Sequence, residues 1–195
     1  WMTLHFKAEG NIEYTGLLYI PSSAPYDLFQ PDRKNGLKLY VNKVFISDKV
    51  EELIPNYLRF VKGVVDSSDL PLNISREMLQ HSALIEKIKH GTVSRILKEL
   101  KKRAKNYDDY MIFWKNFGIV LKEGIYEDFG NREEIASLSY FNSTNDENKL
   151  TTLDEYISRS QEGQKAIYYI TGDDVKILRN NPQLEAFKEK GIEVL

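Results

Sequence analysis

A proline between an apolar, strand-like segment and a long helical pattern constrains this chain more than any other feature. The stretch from Val64 to Gln80 begins with apolar residues, passes through an acidic, serine-rich turn and then reaches Pro71. Proline lacks an N–H donor and pushes the preceding residue towards extended geometry, so the stretch cannot form one continuous helix. The sequence therefore predicts a strand, a loop and a helix, with a single arginine, Arg76, on the loop.

Arg76 is the leading candidate for a functional side chain. A guanidinium group stays charged at every working pH and offers a planar fork of donors that suits phosphate. On a loop it can turn towards an anion that another part of the protein supplies. Asn73 and Gln80 would then help to position the loop or the phosphate. The alternative is a surface arginine paired with Glu77 or Asp69, beside an ordinary turn former and a helix-surface residue.

The composition narrows the classes of protein to which the chain can belong. Of its 195 residues, 42% are hydrophobic and 12% are aromatic, which is enough for a sizeable core. The net charge of −2 gives no general attraction to nucleic acid or to an anionic membrane. No apolar run approaches the roughly 18 residues that cross a bilayer, and no signal peptide is visible. The absence of cysteine excludes disulfides, thiolate metal sites and a cysteine nucleophile, and it suits a reducing compartment.

The two ends of the sequence predict an excised piece of a longer protein. Trp1 stands directly before a strand-like segment, and the last residues, 191–195, read as an apolar strand. A natural gene product seldom ends in the middle of a buried strand. We therefore expect the function to need parts that lie outside this sequence.

Alternating apolar residues predict β-structure in the first part of the chain. Residues 1–20 read as a hairpin, and residues 37–46 read as one strong strand. The alternation slips at Asn42 and Lys43, which predicts a bulge or bend there. Phe45 lies beside this bend and is therefore the aromatic residue most expected to reach a partner. Other candidates for exposed apolar contacts, with core burial as the alternative, are Tyr26, Leu28, Phe29, Phe113, Trp114 and Phe117.

Helical periodicity dominates the middle of the chain. Residues 82–106 place apolar residues on one face and basic residues on the other, with eight lysines and arginines against two glutamates between 86 and 105. This basic face suits nucleic acid, acidic lipid or an acidic partner, or it is simply solvated. Aromatic residues are not interleaved with it, so a base-stacking platform is not supported. A second helical segment is predicted over 110–117, ending at Gly118, and a third over 132–141.

The last third of the sequence predicts a βαβ unit after a polar linker at residues 142–148. A buried strand is expected at 166–170, followed by helical segments that end at Gly191. A final strand at 192–195 should then lie parallel to the first through a right-handed crossover. The predicted fold class of the whole chain is α/β.

Other kinds of site find little support in the sequence. His5, His81 and His90 show no ligand spacing for a metal, and no glycine-rich loop able to cradle a phosphate is present. Asp66 and Asp69 are possible cation ligands, but a capped turn explains them more simply. We therefore expect this chain by itself to hold neither a metal nor a nucleotide.

The segment from Val64 to Gln80 resembles the catalytic loop in the middle domain of the 90-kDa heat-shock chaperone family. Further segments resemble the same family in the same order along the chain: 4–10, 20–29, 38–48, 52–55, 124–128, 142–144 and 164–172. The His-Phe-Lys sequence near the start and the short charged turn at 32–36 favour a bacterial-type member.

The resemblance implies a middle domain of three parts. Residues 1–105 would form a larger α/β sandwich, ribosomal-protein-S5-like, that carries the catalytic loop and the long helix after it. Residues 106–141 would form a helical connector. Residues 142–195 would form a smaller α/β subdomain, truncated at its C-terminal end.

The resemblance also implies a role in an ATP-dependent molecular chaperone that acts in protein folding and the stress response in the cytoplasm. ATP, with magnesium, would sit in a separate N-terminal domain of the type shared with gyrase and histidine kinases. Arg76 would contact its γ-phosphate from the middle domain, Gln80 would lie on the same loop, and Asn73 would support it. Phe45 would help the two domains to dock. The middle domain would also offer surface to client proteins.

The implied partners are the N-terminal ATP-binding domain and the C-terminal dimerisation domain of the same chain, together with unfolded or partly folded clients. Neither nucleic acid nor a membrane is expected. The full-length protein would be a homodimer, whereas this piece alone should be monomeric, should bind no cofactor and should not hydrolyse ATP. Two alternatives remain at this stage: a passive protein-interaction module without any catalytic contribution, and an RNA-binding α/β domain.

Overall fold

A mixed five-stranded β-sheet is the framework of the first part of the chain. The computed structural model describes residues 1–10, 12–30, 36–48, 50–72 and 82–195. These residues form two units, residues 1–135 and residues 136–195, and the sheet belongs to the first. The strands are β1 Met2–Ala8, β2 Tyr14–Ile20, β3 Gly36–Val41, β4 Val44–Ser47 and β5 Lys62–Ser67. Their order is β1-β2-β5-β3-β4, and β3 and β5 run parallel.

The predicted N-terminal hairpin is confirmed. Strands β1 and β2 pair antiparallel from Met2 opposite Ile20 to Ala8 opposite Tyr14. The alternation in sequence matches the burial along β2, where Tyr14, Leu18 and Ile20 face the core. Alternating burial is what a half-buried strand requires, because successive side chains point to opposite faces of the sheet.

The prediction of one bent strand over 37–46 is wrong, because this segment is a tight hairpin. Strand β3 ends at Val41, β4 begins at Val44, and the two are antiparallel. Between them Asn42 and Lys43 have φ angles of 49° and 66°. Two consecutive left-handed residues make the two-residue turn whose twist matches paired strands. The slip in the apolar alternation therefore marks a reversal of the chain, and it places Phe45 on an edge strand.

Two long helices follow the sheet in the first unit, with a shorter one after them. They are α1 Ala83–Arg103, α2 Tyr107–Glu127 and α3 Arg132–Ser137. Ser82 and Asn106 cap the N-termini of α1 and α2, since their side chains accept N–H bonds from Ile85 and Asp109. The predicted helix end at Gly118 is wrong, because α2 continues for more than two further turns. Gly118 is buried directly beneath the Trp114 ring, where the helix leaves no room for a side chain.

The core of the first unit is aromatic and lies between the sheet, α1 and α2. Phe60 stacks on Phe117 with ring centroids 4.8 Å apart and meets Phe113 edge-on at 5.4 Å. Trp1 stacks on Phe113 at 4.8 Å. Of the predicted exposed apolar candidates, four are buried instead: Leu28, Phe113, Trp114 and Phe117. Phe113, Trp114 and Phe117 lie on the apolar face of α2, and Leu28 lies in the loop that packs beside it. Burial in the core is the more common role of large apolar residues.

The second unit contains three short helices, α4 Leu153–Ser158, α5 Val175–Arg179 and α6 Glu185–Glu189. Tyr156 on α4 is buried, and its hydroxyl donates to the Glu193 carbonyl at 2.9 Å while accepting from the Tyr168 N–H at 3.0 Å. Arg159 donates to both carboxylate oxygens of Glu193, at 2.9 Å and 2.8 Å. A network centred on one tyrosine and one ion pair therefore holds this unit together.

The predicted buried strand at 166–170 is wrong. This segment forms no β-strand, and Ile167 and Tyr169 are exposed. Ile170 donates its N–H to the Leu195 carbonyl at 2.8 Å, and Leu195 donates to the Tyr168 carbonyl at 3.0 Å. Leu195 thus bonds to the residues on either side of Tyr169, which is the pattern of parallel strands. The pairing involves only this one residue of the segment 192–195.

The predicted α/β fold class is confirmed for the chain. Five mixed strands with packed helices form the framework of the first unit, and short helices with irregular segments form the second. The three-part division at residues 105 and 141 stays a prediction.

Candidate functional site

The three residues predicted for the catalytic loop, Asn73, Arg76 and Gln80, lie outside the described residues. The described residues on either side of this segment are those up to Leu72 and those from Ser82 onwards. On the upstream side Leu70 is buried and Leu72 is exposed. On the downstream side Ser82 caps α1. The contacts of these flanking residues are therefore the structural basis of the site.

The end of β5 is bonded to the turn before β2. The backbone N–H of Glu13 donates to the Asp69 carboxylate at 2.6 Å. Its carbonyl accepts from the Ser68 N–H at 3.3 Å and from the Ser67 hydroxyl at 3.2 Å. The same hydroxyl accepts from the Asp69 N–H at 3.3 Å. Residues 67–69 are therefore held by four hydrogen bonds just before the chain enters the predicted loop.

The end of β5 is also bonded to the β3–β4 hairpin on its other side. The Lys43 backbone N–H donates to the Asp66 carboxylate at 3.1 Å. The Asn42 backbone N–H donates to the Ser67 carbonyl at 3.2 Å. We call residues 66–69, with the two turns that they contact, the loop stem. Asp66 and Asp69 each accept a backbone N–H, which is the turn-capping role that the sequence suggested for them.

Phe45 lies on β4, where its side chain is 52% exposed. It pairs with Tyr40 on β3, and their rings meet edge-on at 5.6 Å. Tyr40 is in register with Asp66 on β5. Paired residues of neighbouring strands share a face of the sheet, so these three side chains form a row across its outer face. The structure thus places the predicted docking residue in the same row as a carboxylate of the loop stem.

Arg59 anchors the loop at residues 21–30 to α2. Its guanidinium pairs with Glu123 on α2 and donates to the Leu28 carbonyl at 3.0 Å. The hydrogen bond that Arg59 donates to the Glu123 carboxylate raises the pKa of Arg59 above its usual range. Asn116, also on α2, accepts from the Ala24 N–H at 2.9 Å. The loop therefore lies along α2 in a fixed position.

This arrangement leaves an apolar surface open beside the loop. Three exposed residues recur every seven positions along α2, and two exposed aromatic residues stand on the adjacent loop: Ile112, Ile119, Tyr126, Tyr26 and Phe29. We call these five residues the α2 surface. The side chains of Ile119 and Tyr126 are 74% and 81% exposed. Exposed apolar clusters of this kind mark sites of contact with other proteins.

The basic face predicted for residues 86–105 is partly neutralised. Glu86 and Glu99 pair with Lys89, Lys102 and Arg103 within α1. Arg95 lies over the Phe6 ring at 5.8 Å. Lys87, Lys98, Lys101 and Lys105 remain exposed. The net charge of the face is that of its composition, and Arg95 and Lys102 are exposed beside the four lysines.

The sequence-based interpretation missed two parts of this site. The recurrence of Ile112, Ile119 and Tyr126 was visible in the sequence but was cut by the predicted helix end at Gly118. The contact between Asp66 and the Lys43 backbone joins residues 23 positions apart. No local pattern predicts such a contact, because it depends on how β3 and β5 pair.

Neither a membrane-spanning helix nor a metal site is found among the described residues. No described helix combines the length and the apolar character that a membrane crossing needs. Among the residues that the structure describes, no three or more histidine, aspartate or glutamate side chains converge as a metal site would require.

The fold has a clear counterpart among solved structures. The middle domain of a putative heat shock protein of Plasmodium falciparum matches 99% of this chain with a TM-score of 0.86 and 38% sequence identity. The chain covers 76% of that domain. The α/β fold is therefore that of a heat-shock-protein middle domain.

Relatives in sequence specify the family. The family model described as Hsp90 protein matches residues 1–195. The chain is 60% identical to chaperone protein HtpG of Paramagnetospirillum magneticum and 58% identical to that of Ehrlichia canis, in each case over 100% of this chain. The chain belongs to the Hsp90 family, and the predicted resemblance to its bacterial members is confirmed. It spans 31% of the length of these two relatives.

Proposed function

We propose that this chain is the middle segment of an ATP-dependent chaperone and supplies Arg76 to ATP held by a separate N-terminal domain. The observation that carries the proposal is the match to HtpG chaperones along the whole chain, which covers only 31% of their length. The sequence has no glycine-rich phosphate cradle, so the nucleotide and its Mg²⁺ are assigned to another domain.

The loop stem supports this role for Arg76. Hydrogen bonds on both sides of β5 fix the start of the segment that carries the arginine. The Ser82 cap fixes its end. Because a chain of n residues spans at most about 3.6 Å × n, these two points limit how far from the loop stem Arg76 can reach. Asn73 and Gln80 lie on the same segment and are assigned to positioning it.

Arginine supplied from a second domain suits phosphoryl transfer. The guanidinium stabilises charge that develops on the transferred phosphate, and it does so only when the domains have closed. Turnover is thereby coupled to domain closure. Comparable arginines in other nucleotide hydrolases contribute roughly 10³–10⁵ in rate. Phe45, exposed on the edge strand beside the loop stem, is assigned to the contact between the domains.

The α2 surface is assigned to client proteins. Unfolded or partly folded chains expose apolar side chains, and Ile112, Ile119 and Tyr126 offer an apolar stripe to receive them. Arg59 and Asn116 fix the neighbouring loop, so the surface exists before a client arrives. The full-length protein is proposed to be a cytoplasmic homodimer whose dimerisation domain lies outside this chain, with neither nucleic acid nor membrane as a partner.

Kinetics of Arg76 variants in the full-length chaperone test the catalytic part. Arg76→Ala should lower ATP turnover by about tenfold or more, as loss of a transition-state contact does, while ATP binding survives. Arg76→Lys should recover only part of the rate, since an ammonium cannot reproduce the forked contact. Lys98→Ala, which removes an exposed charge from α1, is the matched control. Turnover at the parent rate in Arg76→Ala would overturn the catalytic role and favour the alternative, a passive protein-interaction module.

Binding of a permanently unfolded protein tests the client surface. Reduced, carboxymethylated α-lactalbumin is a suitable probe, because it exposes apolar segments without aggregating. Ile119→Lys should weaken its binding to this chain by about fivefold or more, since a charge replaces an apolar contact. Ile177→Lys changes an equally exposed isoleucine in the second unit and serves as the control. Equal loss in both variants would show that the α2 surface has no special role.

A further inference from the structure

A side-chain hydrogen bond joins the turn of the β3–β4 hairpin to the strand that leads to Arg76. The Asp66 carboxylate on β5 accepts the backbone N–H of Lys43 in the hairpin turn at 3.1 Å. We infer that Asp66 is a positioning residue for ATP turnover: it holds the hairpin turn that precedes Phe45 against the end of β5, the strand that leads towards Arg76. This inference rests on the proposed function.

The turn needs such an anchor because its backbone is unfavourable for its sequence. Lys43 has a φ of 66°, in the left-handed region where residues other than glycine are destabilised. Strand β4 has four residues, pairs with β3 and lies at the edge of the sheet. A short edge strand behind an unfavourable turn frays easily. A hydrogen bond to a charged acceptor is among the stronger ones available to hold it.

The position of the turn determines the position of Phe45. Val41 pairs with Val44 directly across the turn, and Tyr40 pairs with Phe45 in the next position. Only Val44 separates Phe45 from Lys43. Displacement of the turn therefore moves the Phe45 ring. The ring also packs edge-on against Tyr40, so this contact would be disturbed as well.

Asp66 also belongs to the strand end that enters the loop. The next three residues, 67–69, are bonded to Glu13 on the far side of β5. That part of the stem is therefore fixed whether or not Asp66 is present. Strand β3 pairs with β5, and the Asn42 side chain donates to the Ser68 carbonyl at 3.5 Å. What Asp66 adds to these contacts is a charged acceptor for the backbone N–H of Lys43 in the turn. Its loss should leave residues 67–69 in place and loosen the hairpin turn at Lys43, where the two bonds from Asn42 to Ser67 and Ser68 remain.

The test uses the full-length chaperone and five variants: Asp66→Ala, Asp66→Asn, Phe45→Ala, the double variant Asp66→Ala/Phe45→Ala, and Arg76→Ala. Asp66→Ala should lower ATP turnover by about fivefold, the size that the net contribution of one hydrogen bond supports, without changing nucleotide affinity. Asp66→Asn should recover turnover to within about twofold, because the amide oxygen accepts the same N–H. The double variant should be no slower than the slower single variant, since both changes disturb one contact.

Each remaining outcome overturns the inference or the function beneath it. Parent-level turnover in Asp66→Ala overturns the inference. So does an Asp66→Asn variant as slow as Asp66→Ala, because the carboxylate charge would then be what matters. Additive effects in the double variant would separate Asp66 from Phe45 and would also overturn it. Parent-level turnover in Arg76→Ala instead overturns the proposed function, whatever the Asp66 variants do.

Discussion

The aromatic core and the loop stem of the first unit are held by different kinds of contact. In the core Phe60, Phe113 and Phe117 pack ring against ring, with centroids 4.8 to 5.5 Å apart and almost no exposure. In the loop stem two carboxylates accept backbone N–H groups, and the nearby Phe45 stays half exposed. Apolar burial is the larger source of stability, whereas a few directional bonds set position. Changes in the core should therefore affect folding, and changes at the stem should affect function.

The largest expected effect belongs to the core. Phe113→Ala should lower the free energy of unfolding by about 3–5 kcal/mol, because it removes a buried ring and leaves a cavity among its neighbours. Denaturant unfolding of this chain measures the change. Phe129→Ala truncates a phenylalanine that is 75% exposed and should stay within about 0.5 kcal/mol of the parent. A loss below about 1 kcal/mol in Phe113→Ala would show that the core collapses around the gap.

A smaller effect of opposite sign is expected at the hairpin turn. Lys43→Gly should raise the free energy of unfolding by about 0.5–1 kcal/mol, because glycine adopts the left-handed backbone without a steric penalty. Lys43→Ala is the matched control, since alanine is as unfavourable there as lysine. The same unfolding measurement applies to both. Equal stabilisation by alanine and glycine would mean that the lysine side chain, and not the backbone, is the source of strain.

The sequence predicted the fold where the pattern is local. The β1–β2 hairpin and α1 followed from the spacing of apolar residues, which is a pattern within a few positions of the sequence. The β3–β4 turn did not, because Asn-Lys lacks the glycine that marks such turns. Its left-handed backbone is stabilised by Asp66, which lies 23 residues away. At Gly118 the packing of α2 overrides the low helix propensity of glycine.

The candidate site also has a part that the sequence predicts from local patterns and a part that depends on contacts between distant residues. Arg76, Gln80 and Phe45 were proposed from a loop motif and its resemblance to a family. The family is confirmed by relatives along the whole chain, and the roles of these residues stay predictions. The bonds that form the loop stem join Glu13 to Asp69 across 56 positions. Non-local pairing of this kind depends on strand order, which composition and periodicity do not reveal.

The most direct test of the contrast between core and loop stem is a single substitution for which both the free energy of unfolding and ATP turnover are measured. Phe45→Ala should change the free energy of unfolding of this chain by no more than about 0.5 kcal/mol, because the ring is half exposed. In the full-length chaperone the same change should lower ATP turnover about fivefold, the size expected when one apolar docking contact is lost. Intact folding with slower turnover is the predicted result. A large loss of stability, or turnover at the parent rate, would contradict the assignment of Phe45 to domain docking.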